Sequence, residues 1–254
     1  METFFELVFQ QGQKAIAAYL DSITSLPTAL EQLGLTTSRP TLVLIGGASG
    51  LTDQDADQLK TLFQEVICPL AEAAGWSVID GGTDAGVMRL IGQAYQKLQC
   101  TFSLLGVVVQ DKAITPGATH TVDEDAAELE PHHTHFLLVP GQQWGDESAW
   151  IAQVAALLSP ENASATIVIN GGEITLKQDI PNSLKHQRPV LVLAGTGRTA
   201  DRVAAVATGQ TSDAEIQSLI DSGLIVAIDW LQNQDMLYQK LQTILNPSSK
   251  GLSR

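Results

Sequence analysis

The chain has 254 residues, of which 44% are hydrophobic, and it carries a formal net charge of −14. A chain of this length can bury one large core, and single α/β domains commonly reach this size. Nucleic acids and anionic membranes bind proteins mainly through clustered Lys and Arg, so this acidity argues against both partners and favours a small molecule.

The cysteines and the N-terminal stretch indicate a reducing compartment. Cys68 and Cys100 are too far apart in the chain for a zinc knuckle or a redox pair, and too few for a disulfide scaffold. Glu2 and Glu6 stand where a signal peptide would carry basic residues. No run approaches the roughly 20 apolar residues that cross a bilayer. We therefore expect a soluble, cytoplasmic protein, either a monomer or a homo-oligomer.

The predicted elements begin with a helical N-terminal extension over residues 1–38, followed by one domain over residues 39–254. In this domain, short β-branched runs alternate with longer amphipathic stretches. The runs are apolar on both faces, which is typical of a parallel sheet covered by helices. The sequence therefore predicts a doubly wound α/β fold with a mainly parallel sheet of about seven strands. The strand-forming runs are TLVLI (41–45), WSVID (76–80), SLLGVVV (103–109), HFLLV (135–139), ATIVIN (165–170), PVLVL (189–193) and LIVAID (224–229).

The stretches between the strands have the spacing of crossover helices. From Ala56 to Leu70 apolar residues recur at helical spacing, and Pro69 is expected to kink or end that helix. Similar patterns cover 86–98, 147–158, 199–207 and 231–245. Residues 110–131 differ, because they are polar and include five acidic residues between Asp123 and Glu130. Such a long loop is typical of a lid over the edge of the sheet.

Four strands end in glycine-rich turns, which are IGGASG (45–50), DGGTDAG (80–86), NGG (170–172) and AGTGRTAD (194–201). The carboxyl ends of strands in an open α/β sheet face one crevice, so these turns are expected to converge. Glycine lets backbone N–H groups approach a phosphate, and the helix that follows adds partial positive charge. A single such turn is equally compatible with tight chain reversal alone, but four together favour a phosphate site.

The candidate ligand-binding residues come from these turns and from the start of one strand. Arg198, at the start of a helix, is placed to clamp a phosphate or ribose, or else to pair with an acidic neighbour on the surface. Arg89 is a weaker candidate, with solvent as its alternative environment. The full set is Gly46, Gly47, Ala48, Gly50, Gly81, Gly82, Thr83, Gly86, Val87, Met88, His135, Asn170, Gly171, Gly172, Glu173, Gly195, Thr196, Gly197, Arg198 and Asp201.

The sequence does not favour metal binding or hydride transfer. His132, His133 and His135 suggest a metal site, with Glu130 as a fourth ligand. Alternation along an extended segment would point His133 and His135 to one face, but no second cluster supplies the other ligands. A loop or crevice-lining role is favoured for these histidines, and no metal is expected. GTGRTA matches the dinucleotide fingerprint G-x-G-x-x-A, yet no following strand ends in an acid about 20 residues on. IGGASGL is similar to the opening of a short-chain dehydrogenase, yet the Tyr-x-x-x-Lys pair is absent. Hydride transfer with a bound cofactor is therefore not expected.

Read in order, several segments resemble the SLOG superfamily, and within it the LSDAT group, the prokaryotic relatives of the N-terminal cytoplasmic domain of melastatin-type TRP channels. The segments are DGGTDAGVMRLIGQA (80–94), LLGVVV (104–109), LEPHHTHFLLVPG (129–141), NGG (170–172) and PVLVLAGTGRTADRVA (189–204). The last contains the channels' Gly-Ser-Gly-Arg-x-Ala-Asp pattern with threonine in place of serine. The resemblance implies a bacterial protein with a Rossmann-like fold that senses a nucleotide such as ADP-ribose or NAD.

An enzyme branch of the same superfamily, the Lonely guy phosphoribohydrolases, is more distantly similar. Their Gly-Gly-Gly-x-x-Gly-Leu-Met motif resembles residues 80–88, and their Pro-Gly-Gly-x-Gly-Thr-x-x-Glu motif lies over residues 170–178. Gln178 stands where the resemblance places the catalytic glutamate, and an amide cannot act as a general base. This favours a sensor, with a nucleotide-processing enzyme as the alternative because Glu173 and Asp179 flank the same turn.

Overall fold

The computed structural model describes residues 3–35, 39–47, 51, 53–118, 123–159, 163–232 and 234–245. Across these residues nine strands form one sheet, and two short strands form a separate ribbon. The strands are β1 (Thr3–Val8), β2 (Lys14–Tyr19), β3 (Thr41–Gly46), β4 (Ser77–Asp80), β5 (Ser103–Val109), β6 (Ala113–Ile114), β7 (Ala127–Glu128), β8 (His135–Val139), β9 (Ser164–Ile169), β10 (Val190–Ala194) and β11 (Ile225–Asp229).

The order of the strands places the crevice of the fold between β3 and β9. The main sheet runs β1-β2-β8-β5-β4-β3-β9-β10-β11, and its neighbouring strands are parallel apart from the β1–β2 pair. From β3 the chain builds the sheet in one direction through β4, β5 and β8, and then returns to add β9, β10 and β11 on the other side. In such sheets ligands bind where the strand order reverses, outside the carboxyl ends.

The seven predicted strands are confirmed to within one residue at each end, and the Rossmann-like α/β fold is confirmed with them. Both faces of the sheet are buried, as the apolar runs predicted. Along β3, Leu42 and Leu44 pack into the core on one face, while Val43 and Ile45 pack into the core on the other. Alternate residues of a strand point to opposite faces, so a strand that is apolar throughout requires a helical layer on each side.

The prediction of a helical N-terminal extension is wrong for residues 3–19. β1 and β2 form an antiparallel hairpin, and β2 adds to the sheet in parallel beside β8. In this hairpin Leu7, Ala15 and Ala17 are buried, whereas the adjacent Val8 and Ile16 point to the other face and are exposed. Alanine favours helices in isolation, but pairing with a strand more than 100 residues away, Ile16 opposite His135, overrides that preference. The division of the chain at residue 38 stays a prediction.

The helices in the described ranges cover both faces of the sheet. They are α1 (Leu26–Gln32), α2 (Asp53–Thr61), α3 (Cys68–Ala74), α4 (Gly86–Leu98), α5 (Ser148–Leu158), α6 (Ile180–Lys185), α7 (Arg198–Ala207), α8 (Ala214–Ile220) and α9 (Gln234–Leu245). Wider π-helical turns over Leu62–Ile67 and Thr175–Asp179 precede α3 and α6. Pro69 directly follows the π-helical turn over Leu62–Ile67 and is the second residue of α3, so the helix neither ends there nor keeps the α-helical hydrogen-bond pattern before it. No helix in these ranges combines the length and the apolar character needed to cross a bilayer.

The predicted loop over residues 110–131 contains a short ribbon, in which β6 pairs in parallel with β7. Buried Lys112 holds the returning part of the loop through ion pairs with Asp123 and Asp125. The end of the loop is fastened to the turn after β4, because Glu130 N donates to Gly82 O at 2.9 Å. This fixes the segment from 123 to 131 beside the carboxyl ends of the central strands.

Candidate functional site

A cavity of about 770 Å³ lies at the carboxyl ends of the central strands. Residues from all four glycine-rich turns line it, so the turns converge as the strand order requires. The candidate residues that line it are Gly46 and Gly47 at the end of β3, Gly81 and Thr83 after β4, Met88 in α4, Gly172 and Glu173 after β9, and Arg198 at the start of α7.

The other candidates are distributed around this lining. His135 is the first residue of β8, at the amino end of that strand, and its Nδ1 lies 2.8 Å from Thr134 Oγ1. Ala48 and Gly50 lie outside the described residues. The remaining members belong to the same turns but are not among the described lining residues, namely Gly82, Gly86, Val87, Asn170, Gly171, Gly195, Thr196, Gly197 and Asp201.

Asn170 and Thr196 hold the β9 and β10 turns in register. Asn170 N donates to Thr196 Oγ1 at 2.8 Å, and Asn170 Nδ2 donates to Thr196 O at 2.9 Å. Thr199 Oγ1 adds a hydrogen bond to Gly172 O at 2.9 Å. Asn170 adopts a left-handed backbone (φ +59°), which asparagine tolerates better than most residues. These residues position the lining glycines and the start of α7, rather than lining the cavity themselves.

Arg198 and Gly172 form the basic side of the cavity. A methyl group added at Gly172 would lie 3.0 Å from Arg198 Nη2, so the guanidinium lies close over the glycine turn. Among the described lining residues, Arg198 is the basic one. Its backbone is left-handed (φ +48°), a conformation that costs a residue with a side chain roughly 1–3 kcal/mol and is concentrated at functional sites.

A further wall of the cavity contains Trp144, Glu147, Thr175 and Asp179. Sequence reasoning missed it apart from Asp179, which was noted only as an acid flanking the NGG turn. Trp144 and Glu147 lie in the segment between β8 and α5, and Asp179 ends the π-helical turn after β9. The topology could have predicted these residues, because any segment that follows the carboxyl end of a strand borders the crevice, whether or not it is rich in glycine. Trp144 Nε1 donates to Asp125 O at 3.1 Å, which joins this wall to the loop over residues 110–131.

Burial alters the acidity of two carboxyls in that wall. Burial raises the pKa of Glu147 to about 7, although Gly145 N donates to its Oε2 at 2.8 Å and opposes the shift. Burial likewise raises the pKa of Asp179 to about 6, against hydrogen bonds from Ser148 and Thr175. Taking a carboxylate out of water disfavours its charged form, and such shifts are enriched at functional sites.

A second group of buried charges lies beneath the turn after β4. His133 Nε2 lies 2.9 Å from Asp80 Oδ1, and its Nδ1 lies 2.9 Å from Glu130 Oε2. His132 Nδ1 lies 2.6 Å from the other Glu130 oxygen, and Gly82 N donates to Asp80 at 2.7 Å. Burial lowers the pKa of His133, but Asp80 and Glu130 outweigh it and raise that pKa to about 10. Both ring nitrogens are engaged by carboxylates, so this histidine fastens the loop to the sheet.

Sequence comparison with known proteins shows the family of this chain. The sequence profile of the family described as "SLOG in TRPM, prokaryote" matches residues 39–238, which is well over half of the chain. The chain belongs to this family. The LSDAT resemblance inferred from the glycine turns is thereby confirmed.

Members of one channel family share sequence with this SLOG protein. Transient receptor potential cation channel subfamily M member 2 of Mus musculus is 24% identical over 265 aligned residues, covering 89% of this chain and 17% of the channel. The Rattus norvegicus channel gives the same identity and coverage. A member-like 2 channel of Nematostella vectensis is 24% identical over 202 residues, covering 65% of this chain and 13% of its own length. The chain thus spans less than a fifth of these relatives.

Gln178 stands where the similarity to the hydrolase branch would place a catalytic glutamate. Its side chain packs against Gly145, where an added methyl group would lie 2.8 Å from Gln178 Nε2. It is not among the described residues that line the cavity. Of the two neighbouring acids, Glu173 is exposed and forms ion pairs with Lys177 and Arg202, while Asp179 faces the cavity.

Proposed function

We propose that this SLOG family protein is a cytoplasmic sensor domain that binds ADP-ribose, NAD or a related nucleotide. The observation that carries the proposal is the convergence of four glycine-rich turns and Arg198 on one cavity at the point where the strand order reverses. Backbone N–H groups at such turns, together with the positive end of a helix, bind phosphate oxygens. The volume of about 770 Å³ is within the range that holds small ligands.

The first expected result is stabilisation of the fold by its ligand. A nucleotide at 100 times its dissociation constant adds about 2.7 kcal/mol to the free energy of unfolding. For a chain of this size that raises the melting temperature by roughly 5–10 °C. Thermal-shift measurements with ADP-ribose, NAD and AMP test this, and unchanged melting temperatures with all three at millimolar concentration contradict the proposal.

A second result is expected from Arg198→Ala. Charge-assisted hydrogen bonds contribute about 1.5–3 kcal/mol, so the variant should bind ADP-ribose roughly 10- to 100-fold more weakly by calorimetry. Arg89→Ala is the matched control, because Arg89 is an exposed arginine on α4 that pairs with Asp84 at 2.7 Å. Equal affinity of the wild-type protein and Arg198→Ala would remove this guanidinium from the phosphate site.

A nucleotide-processing enzyme is the second candidate function. The observation that favours it is the pair of partly buried carboxyls in the cavity wall, since raised pKa values are typical of general acids. Against it, a glycosidase needs a carboxylate beside the sugar carbon, and the position expected for it is the amide Gln178. Chromatography of AMP after long incubation separates the two functions, because free base in stoichiometric excess over protein would establish the enzyme.

A further inference from the structure

The acids that line the cavity fall into two kinds. Asp125 pairs with Lys112, and Glu173 forms ion pairs with Lys177 at 3.3 Å and with Arg202 at 2.9 Å. Within the part of the chain that the structure describes, Glu147 and Asp179 form no ion pair with a basic side chain. These two therefore differ from acids that are neutralised on the surface.

Glu147 and Asp179 also retain unused acceptor capacity. An ionised carboxylate offers about four lone-pair sites. Glu147 accepts hydrogen bonds from its own backbone N–H and from that of Gly145, and Asp179 accepts the Ser148 hydroxyl and a hydrogen bond from Thr175. Burial of carboxylates without cationic partners costs stability unless other donors satisfy them. Because both residues line the cavity, the remaining donors are expected from its occupant.

The charges around the cavity indicate which part of a nucleotide would lie beside Glu147 and Asp179. Phosphate groups are repelled by Glu147 and Asp179 and attracted by Arg198 and by the N–H groups of the turns. Hydroxyl groups can lie beside the carboxylates, because they donate hydrogen bonds to them. In dinucleotide-binding folds an acidic side chain accepts hydrogen bonds from ribose hydroxyls at the same edge of the sheet. Trp144 adds an aromatic side chain to this wall, against which a base can pack.

We infer that Glu147 and Asp179 accept the ribose hydroxyls of a ribonucleotide whose phosphate groups lie at Gly172 and Arg198. This inference rests on the proposed nucleotide-binding function and narrows it, because it requires a ligand with free hydroxyls on a ribose. A deoxyribose supplies one donor fewer to these partly buried carboxylates, and such a mismatch is penalised more strongly than a lost contact on the surface.

Calorimetry with ADP-ribose at pH 8 tests the inference in four proteins, namely the wild type, Glu147→Gln, Asp179→Asn and the control Glu31→Gln. Glu31 is an exposed acid on α1, so its variant matches the change in net charge away from the cavity. We expect affinities about 10-fold or more lower for the two cavity variants and unchanged for the control. Melting curves of each variant establish that it is folded.

Analogues of ADP-ribose that lack the 2′-hydroxyl of one ribose or the other supply the second readout. The wild type should bind one of them about 10-fold more weakly than ADP-ribose, and Glu147→Gln or Asp179→Asn should lose that discrimination. A merely structural role would lower the affinity for both ligands equally. The affinity of the wild type for ADP-ribose should also fall as the pH is lowered from 8 to 5.5, because protonation removes the acceptors.

The outcomes separate this inference from the function on which it rests. If the wild type binds none of ADP-ribose, NAD and AMP, the proposed function and the inference fall together. If the wild type binds ADP-ribose but both cavity variants bind it equally well or more tightly, only the inference falls. Tighter binding by the variants would show that these carboxylates oppose the phosphate groups.

Discussion

His133→Ala is expected to lower the free energy of unfolding by about 3–5 kcal/mol, the usual effect of breaking a buried ion pair by removing one partner. The imidazole is fully buried between Asp80 and Glu130, with 2.9 Å to each carboxylate. Its removal leaves two buried carboxylates without their shared cation. The loss of stability therefore comes more from the two buried, unpaired negative charges than from the lost side-chain volume.

Equilibrium urea denaturation of the wild type and of His133→Ala measures this effect. His186→Ala is the control, because within the described chain the His186 ring forms no ion pair with a carboxylate. A loss below about 1 kcal/mol in His133→Ala, comparable with an ordinary surface substitution, would show that the network contributes little to folding.

The same pair of proteins gives a pH dependence with a defined sign. The pKa of His133 is raised from 6.5 to about 10 on folding. Its contribution to stability is therefore complete below pH 6.5 and is lost as the pH rises towards 10. The difference in free energy of unfolding between the wild type and His133→Ala should accordingly be larger at pH 6.5 than at pH 9.5.

The central sheet could be predicted from the sequence because strands that are buried on both faces are short, almost wholly apolar runs. After their first residues, Thr41 and Ser103, TLVLI and SLLGVVV carry no polar side chain, and such short apolar runs are typical of a parallel sheet under two helical layers. The N-terminal hairpin lacked that signature. TFFELV and KAIAAY show neither an all-β-branched apolar run nor an alternation of polar and apolar residues, and the pairing of the second depends on β8, which follows more than 100 residues later. Local periodicity does not encode such a distant partner.

The sequence predicted the parts of the candidate site that are formed by glycine-rich turns. The turns after β3, β4, β9 and β10 were expected to meet, and residues from each line the cavity. The wall with Trp144, Glu147 and Asp179 carries no such mark, because a lone tryptophan or acid is common on any surface. Its role follows only from burial and from the absence, within the described chain, of a cation beside these acids. Both properties depend on tertiary structure.

The two glycines after β4, Gly81 and Gly82, have different structural roles although they are adjacent in sequence. A methyl group added at Gly81 would lie 3.9 Å from Met88 Cε, an ordinary contact, and Gly81 lines the cavity. One added at Gly82 would lie 2.8 Å from Gly106 Cα and 2.9 Å from Val108 Cγ2. Gly82 also has a left-handed backbone, with φ at +64°. The expectation that glycine here admits a phosphate thus fits Gly81, whereas Gly82 admits the neighbouring strand.

Gly82→Ala is therefore expected to destabilise the fold by about 2–5 kcal/mol, which combines roughly 1–2 kcal/mol for a left-handed residue with 1–3 kcal/mol for overpacking. Gly81→Ala, the matched control one residue earlier, should change the free energy of unfolding by less than about 1 kcal/mol. Urea denaturation measures both. Equal stability of the two variants would show that β5 yields to the added methyl group, and that the close approach of Gly82 to Gly106 does not limit the fold. If Gly82→Ala is as unstable as expected, any loss of nucleotide binding in that variant reflects the displaced β4 turn, so Gly81→Ala is the variant that tests backbone approach to the ligand.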